Sequence, residues 1–211
     1  MDKDDFLLKR IRELANLSYQ RDIVTFTDFL NLNEQNMLAT LKLRQMGVSV
    51  KLFGGYDHAE RQMAAFYPGT VGFSWEYPID CLKITPKALR FSEELGHRDY
   101  LGAILNLGVD RSVVGDILIK DKEAWVFCLH KMSDFFIDNL VRVRHTTVLV
   151  TRVEQAEEIP EPQFEAISGT CASVRLDSLI GLAFQTSRSS MVSFIESGLV
   201  FVNGKLITSN G

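Results

Sequence analysis

The sequence is poor in several features that mark whole classes of protein. Its three cysteines lie far apart at positions 81, 128 and 171, so we expect neither a disulfide framework nor a Cys-x-x-Cys zinc site. No apolar run approaches the length of a membrane span, and the acidic N-terminus MDKDDFLLKR lacks the apolar stretch of a secretory signal. We therefore predict a cytosolic protein without membrane contact and with reduced thiols.

An excess of positive charge is also missing. The 23 Lys and Arg against 27 Asp and Glu give a formal net charge of −4, which by itself disfavours a nucleic-acid partner. The acidity is concentrated in residues 154–165, which hold five acidic and no basic residues, and two prolines there indicate an extended linker. Because the rest of the chain is near neutral, RNA binding would depend on locally arranged cations and would be sensitive to salt.

The 211 residues, 46% of them hydrophobic, are sufficient for two or three small domains with real cores. Residues 5–46 are predicted mostly helical, followed by a strand over 48–52 and a second helix over 57–66, opened by a capping box of Asp57 and Glu60. The intervening Gly54–Gly55 lacks the spacing of a phosphate-binding loop, so we expect a plain turn there.

The middle of the chain alternates between strand and helix patterns. Trp125 and Phe127 alternate onto one face of a strand, where we expect core packing rather than base stacking. Arg142 and Arg144 alternate on one face before His145, and both phosphate contact and plain solvation are open for them. The strands are predicted at 79–85, 116–120, 124–129 and 145–153, and the helices at 97–107 and 133–140. This βαββαβ order is that of a ferredoxin-like unit, the topology of RNA-recognition modules.

The C-terminal part of the chain carries the clearest pattern. The spacing predicts a helix over 176–184, a second helix capped by Thr186 or Ser187, and a hairpin that turns at Asn203–Gly204, where both residues tolerate positive φ. Gly198 stands where a left-handed helix stop is expected.

The start of the second of these helices combines one arginine with three hydroxyls. Because a helix N-terminus offers free N–H groups and a positive dipole end, such a set can complete a phosphate site. For any one residue, an ordinary helix cap or a solvated charge is the simpler interpretation. The residues are Ser187, Arg188, Ser189 and Ser190.

Three short motifs follow one another here: Arg-Leu-Asp at 175–177, Ser-Arg at 187–188 and Gly-x-Val-x-Val-Asn-Gly-Lys at 198–205. In this order they resemble the small RNA-binding domain first described in ribosomal protein S-four. The resemblance implies that Arg175, Ser187, Arg188 and Lys205 present cations and a hydroxyl to an RNA backbone. That fold continues into a closing strand with a basic, glycine-containing run, and since the sequence ends at Gly211 we expect the domain to be truncated.

Other short motifs resemble parts of enzymes but lack the required context. His-Arg-Asp at 97–99 is not followed by the Asn that a kinase catalytic loop needs, because position 104 is Ile. Lys-Met-Ser at 131–133 lacks the companion motif of tRNA synthetases, and Arg-Leu-Asp at 175–177 lacks the remaining sequence of a pseudouridine synthase. No paired carboxylates, activated nucleophile or metal-ligand spacing is recognisable, so we predict no enzyme, cofactor or metal.

Longer elements resemble one bacterial family. FGGYDHAERQMAAF (53–66), HRDYLGAILNLGVDRSVVGDI (97–117) and the C-terminal motifs, in this order, look like the YlmH-like proteins over nearly the full chain. The resemblance implies an N-terminal domain, a central RNA-recognition-like domain and a terminal S-four-type domain. It further implies a cytosolic factor, encoded near cell-division genes, that acts on the large ribosomal subunit near peptidyl-tRNA in rescue or quality control of stalled translation.

The sequence prediction is therefore an α+β, multi-domain, non-enzymatic factor that binds structured ribosomal RNA, with tRNA as a further candidate. The domains are predicted at 1–75 (mainly helical α/β), 76–153 and 173–211, with an acidic linker over 154–172. Two alternatives stay open: an RNA-modifying enzyme with an unrecognised site around residues 97–99, and a cell-division adaptor. The predicted RNA-binding residues are Arg175, Ser187, Arg188, Ser189 and Lys205, with Arg98, Arg142 and Arg144 for a second contact.

Overall fold

The structure, a computed structural model, divides the chain into two compact units, residues 1–162 and residues 163–211. No helix in the described part of the chain is both long enough and apolar enough to cross a membrane. The residues that the structure describes are 3–69, 74–155, 158–161, 165–171 and 173–209. Parts of the predicted linker, at 156–157, 162–164 and 172, lie outside them. The finer division of the chain into four segments stays a prediction.

The first unit begins with a long helix on a small antiparallel sheet. Ile11, Leu14 and Ala15 form the buried stripe of the helix and pack with Ala64 and Phe66 of the sheet, because they recur at helical spacing. The strand order is β1-β3-β2. The elements are α1 (Lys3–Arg21), β1 (Thr25–Leu30), α2 (Leu32–Ala39), β2 (Val48–Phe53) and β3 (Gln62–Pro68).

Three sequence predictions for this part are wrong. Thr25–Leu30 is a strand rather than part of a mostly helical region, and Gln62–Pro68 is a strand where a helix was predicted. β3 lies between β1 and β2 and is buried on both faces, so its residues lack the alternation that identifies a half-exposed strand. The capping box of this region is formed by Asn31 and Glu34 at the start of α2, not by Asp57 and Glu60.

A five-stranded antiparallel sheet follows, with the order β5-β6-β4-β8-β7. Without the two-residue β7, the four long strands and two helices have the predicted βαββαβ order. Tyr100 and Ile104 of one helix and Phe136 of the other pack on the same face of the sheet as Leu82 and Val126. The elements are β4 (Ile79–Pro86), α3 (His97–Leu105), β5 (Val114–Lys120), β6 (Glu123–Leu129), α4 (Ser133–Asn139), β7 (Arg142–Val143) and β8 (Thr146–Arg152).

The opposite face of this sheet is covered by the N-terminal sheet. Trp125 and Phe127 flank Val126 on β6 and therefore point away from the two helices. Both are buried and pack in one cluster with Phe29 of β1 and Met63 of β3. The prediction that these aromatic residues pack in a core rather than stack on bases is confirmed.

A carboxylate on β5 joins the two sheets. Asp116 accepts hydrogen bonds from the Tyr56 hydroxyl at 2.9 Å, the Glu60 amide at 2.7 Å and the Arg61 amide at 3.0 Å. The Arg61 side chain donates to the carbonyl of Val114 at 3.1 Å and to that of Phe29 in β1 at 3.0 Å. Burial lowers the pKa of the Arg61 guanidinium. The sequence elements 53–66 and 97–117 thus meet here and hold the first unit together.

The second unit contains two helices and a hairpin, in the predicted order. Ser187 caps the second helix, and its hydroxyl accepts from the Ser190 amide. Gly198 ends that helix at φ 69°, and the hairpin turns at Asn203 and Gly204 with φ of 49° and 75°. These local predictions are confirmed because each depends on the conformational preferences of one or two residues. The elements are α5 (Leu176–Ala183), α6 (Arg188–Glu196), β9 (Val200–Val202) and β10 (Lys205–Ile207).

Candidate nucleic-acid interface

Two of the predicted arginines share one buried carboxylate. Arg175 occupies the N-cap position of α5, and its Nε donates to Oδ1 of Asp177 at 3.2 Å. Arg188 opens α6, and its Nε donates to Oδ2 of the same carboxylate at 2.7 Å. The Asp177 side chain is only 2% exposed, whereas those of Arg175 and Arg188 are 47% and 56% exposed. The first turns of the two helices are thereby linked.

The contacts with Asp177 hold both arginines in place and leave their side chains exposed to solvent. Two guanidinium groups face one carboxylate, so the cluster keeps an excess of positive charge at the surface. Because the Asp177 carboxylate accepts from Nε of each arginine, it holds both planar guanidinium groups in place at the surface. Such pre-positioned forks suit phosphate oxygens, which they bind in a bidentate manner. Asp177 was not among the residues predicted from the sequence, because the Arg-Leu-Asp motif at 175–177 carries no signal for this role.

The hydroxyls that precede and open α6 form a second part of the site. The Ser187 hydroxyl lies 3.1 Å from that of Ser189 and 2.7 Å from that of Ser190, and it accepts from the Ser190 amide at 3.2 Å. The serines thus satisfy one another at the helix start beside Arg188. Lys205 is exposed at the start of β10, and within the described residues it makes no ion pair with the cluster.

The second predicted group of cations lies on the five-stranded sheet and α3. Arg142 is exposed on β7, and Arg98 is exposed in the first turn of α3. Arg144 pairs with Asp99 at 3.5 Å, so the structure brings Arg144 and Arg98 to the same end of α3. The predicted alternation of Arg142 and Arg144 along one strand is wrong, because Arg144 adopts a left-handed conformation at φ 50° in the turn between β7 and β8.

One cluster in the first unit contains a serine, a histidine and an aspartate, the residue types of a serine hydrolase, but they are hydrogen-bonded in a different order. The Ser133 hydroxyl donates to Asp80 at 2.5 Å, and His130 Nδ1 lies 3.0 Å from the same carboxylate. The serine and histidine thus both contact the aspartate instead of each other, so the histidine is not placed to take the serine proton. Burial raises the pKa of Asp80, and the hydrogen bonds from Ser133 and His130 more than offset this effect, giving a lowered pKa.

Neither the predicted alternative site nor the two buried thiols offer activated groups. Asp99 accepts from the Gly96 amide at 2.9 Å and pairs with Arg144, so it caps α3. Burial raises the pKa of Cys81 and of Cys128 to about 12, which keeps both thiols protonated near neutral pH. In the described part of the chain, no group of three or more His, Cys, Asp or Glu side chains is arranged to hold a metal ion.

An aromatic cleft of about 750 Å³ in the first unit was also not predicted. The rings of Tyr67 and Tyr77 lie 5.6 Å and 5.2 Å from that of Trp75, so the wall of the cleft is a packed aromatic cluster. Charges of both signs line it: Lys51, Glu76, Asp80, Arg152 and Glu154. Because three carboxylates face two cations, the cleft is a poor site for a polyanion.

Comparison with known proteins agrees with a role in RNA binding. A family model described as "Putative RNA-binding domain in YlmH" matches residues 75–157. The chain is 28% identical over 194 residues to "Ribosome-associated protein quality control protein P2" of Bacillus subtilis (strain 168), covering 86% of this chain and 70% of that protein. These two findings support a YlmH-like RNA-binding protein, whereas the S-four-type assignment of the last domain stays a prediction.

A solved structure has the same fold. "Cell division protein ylmH from Streptococcus pneumoniae" matches with a TM-score of 0.60 and 23% identity, over 76% of this chain and 96% of that chain. At this identity the likeness concerns the fold alone. It agrees with a mixed α+β architecture that contains several antiparallel sheets.

Proposed function

We propose that this protein is a non-enzymatic RNA-binding factor of the bacterial ribosome that acts in the quality control of stalled translation. The observation that carries the proposal is the pair of arginines held on buried Asp177 at the starts of α5 and α6. The chain matches a ribosome-associated protein quality control protein over 86% of its length, and this match supports the ribosome as the partner.

In this proposal the second unit is an S-four-type domain that binds the backbone of structured RNA. Arg175 and Arg188 engage phosphates, and Ser187, Ser189 and Lys205 add a hydroxyl pair and a third cation. Structured RNA is recognised mainly through its shape and phosphates, which suits a few fixed cations better than a surface of stacked aromatic residues. The proposed partners are large-subunit ribosomal RNA and peptidyl-tRNA, in the cytoplasm.

The test is co-sedimentation of the chain with bacterial ribosomal subunits over a series of salt concentrations. An Arg175→Glu/Arg188→Glu variant is compared with wild type and with Arg12→Glu/Arg44→Glu, a matched control at two exposed arginines of the first unit. Both variants change the net charge equally. Each phosphate contact adds about 0.7–0.9 to the slope of log affinity against log salt, so losing two contacts lowers the slope by roughly 1.4–1.8.

We expect wild type and the control to sediment with the large subunit at low salt, and the Arg175/Arg188 variant to stay in the supernatant. Equal loss in both variants would assign the effect to net charge and reject the site. If wild type sediments with neither subunit, the ribosomal proposal fails. Retention on a cell-division protein after ribonuclease treatment would then favour an adaptor.

A further inference from the structure

The usual RNA-binding face of an RNA-recognition module is not accessible in this protein. Such modules stack bases on aromatic residues at the centre of their sheet. Here Trp125 and Phe127 occupy that position and are buried against Phe29 and Met63 of the N-terminal sheet. An RNA contact made by the first unit must therefore use another part of its surface.

The loop between β4 and α3 offers such a surface. Its residues 87–96 include a short turn that exposes two apolar side chains, Leu89 at 59% and Phe91 at 82%. The same turn carries Arg90, and Lys87 stands before it. An aromatic ring this exposed, directly after an arginine and close to a lysine in the sequence, has the composition of a single-stranded nucleic-acid contact.

The loop is held in place at several points. The Lys87 amide donates to the Thr147 carbonyl at 3.0 Å, and the Glu93 amide donates to the Thr146 hydroxyl at 3.2 Å. The Lys122 ammonium donates to the Ser92 carbonyl at 3.1 Å. Because its backbone is anchored to β8 and to the β5–β6 turn, the exposure of Phe91 is a fixed feature of the loop.

Further cations surround the loop. Thr147 on β8 pairs with Arg142 on β7, and on its other side its carbonyl accepts from the Lys87 amide. Lys87 and Arg142 therefore lie on either side of Thr147, across neighbouring strand positions, about 10 Å apart. Arg144 pairs with Asp99 in the first turn of α3, which also carries Arg98.

The charge of this surface is predominantly positive and largely uncompensated. Within the described residues, the side chains of Lys87, Arg90, Arg98 and Arg142 make no ion pair. Nearby acids are Glu93, Glu94 and Asp99, of which Asp99 is already held by Arg144 and the Gly96 amide. These segments therefore carry five cations and three carboxylates, the reverse of the balance in the aromatic cleft.

We propose that the β4–α3 loop and the β7–β8 turn bind an unpaired stretch of RNA. Phe91 stacks on a base, and Lys87, Arg90 and Arg142 contact the phosphates on either side of it. The ligand is unpaired because an exposed ring can stack only on a base whose face is free. The inference rests on the proposed RNA-binding function and adds a second, differently selective contact to it.

The experiment measures binding of a labelled oligouridylate of about 12 nucleotides to the full chain by fluorescence anisotropy, beside a duplex of equal length. Phe91→Ala should weaken oligouridylate binding about tenfold and leave the salt slope unchanged, because stacking involves no counterion. Lys87→Ala/Arg90→Ala should lower the salt slope by roughly 1.4. Phe91→Trp should restore binding, and its fluorescence should change on addition of the oligonucleotide.

Matched controls remove side chains of the same kind elsewhere in the first unit. Phe6→Ala removes an exposed phenylalanine of α1, and Arg12→Ala/Arg44→Ala removes two exposed cations. Both should bind oligouridylate like wild type. If Phe91→Ala also binds like wild type, or if Arg175→Glu/Arg188→Glu, which lacks the proposed structured-RNA contact, prefers the duplex, the inference is overturned.

The two proposals fail separately. Arg175→Glu/Arg188→Glu should no longer bind the ribosomal subunit but should still bind the oligonucleotide. Phe91→Ala should still bind the subunit and should bind the oligonucleotide more weakly. If subunit binding is normal and oligouridylate does not bind at low salt, only the second contact is rejected. If no variant and no wild-type protein binds either ligand, the proposed function itself is rejected.

Discussion

Asp177 sets the conformation of two exposed arginines in the second unit. A buried carboxylate would be unfavourable without partners, and here each of its oxygens accepts from one guanidinium, with the Ser178 amide as a further donor at 2.8 Å. The arginines in turn lose rotamer freedom before any ligand arrives. The same contact thus contributes to the packing of α5 on α6 and to a pre-organised binding site.

Replacing this carboxylate should loosen the helix pair. Asp177→Asn keeps the shape but loses the charge, and weaker hydrogen bonds should cost about 1.5 kcal/mol, which corresponds to a roughly tenfold larger local opening constant. Amide hydrogen exchange of residues 176–196 should accelerate by that factor. Asp134→Asn is the control, because Asp134 pairs with Arg152 while its side chain is 88% exposed. Unchanged exchange in Asp177→Asn would mean that the arginines do not link the helices.

At the level of elements, the sequence was sufficient where a conformation depends on local preferences. The cap at Ser187, the stop at Gly198 and the turn at Asn203–Gly204 each follow from a residue type that few alternatives can replace. The long strands of the five-stranded sheet were also predicted, because their apolar runs are bounded by turns.

The N-terminal strands could not be predicted in this way. β1 carries an irregularity between Phe26 and Phe29, where the Thr27 hydroxyl accepts from the Ala64 amide at 2.9 Å. Its apolar residues therefore face both α1 and the five-stranded sheet, and the strict alternation of apolar and polar residues is lost. The candidate site was likewise predicted only in part. Its exposed cations were predicted from the sequence, but the contacts that join them to Asp177 exist only in the folded protein.

The junction between the two sheets of the first unit should depend on Asp116. Asp116→Ala removes the acceptor of three hydrogen bonds and should lower the free energy of unfolding by about 3 kcal/mol, whereas Tyr56→Phe removes one donor and should cost about 1 kcal/mol. Urea denaturation of the full chain measures both values. Asp138→Ala, at an exposed position of α4, should leave stability unchanged. An Asp116→Ala variant as stable as this control would contradict the assignment.

At the scale of the whole molecule, the three hydrophobic core clusters among the described residues all lie within the first unit. Their residues run from Leu7 to Ile159. A fragment of residues 1–162 should therefore fold by itself, with a stability within about 1 kcal/mol of that unit in the full chain and a melting midpoint within roughly 2–4 °C. Thermal unfolding followed by circular dichroism measures the midpoint. A fragment with native-like helix content but no cooperative transition would show that residues 163–211 are required.

The fragment also separates the two proposed contacts. It retains Phe91 and the surrounding cations, so it should bind oligouridylate like the full chain, and it lacks Arg175 and Arg188, so it should not sediment with ribosomal subunits. The acidic segment from residue 154 has the same sign as RNA, and because salt also screens its repulsion, the full chain should be less sensitive to salt than the isolated contacts would be.

The covered sheet face has a consequence for biosynthesis. The N-terminal sheet leaves the ribosome before β6, and its apolar residues Phe29 and Met63 find their partners only when Trp125, Phe127 and Leu129 have been made. Translation from residue 69 to residue 129 takes about 3 to 12 s at 5 to 20 residues per second. During that interval the nascent chain exposes an apolar surface that the finished protein hides, and this surface is where a chaperone would first bind it.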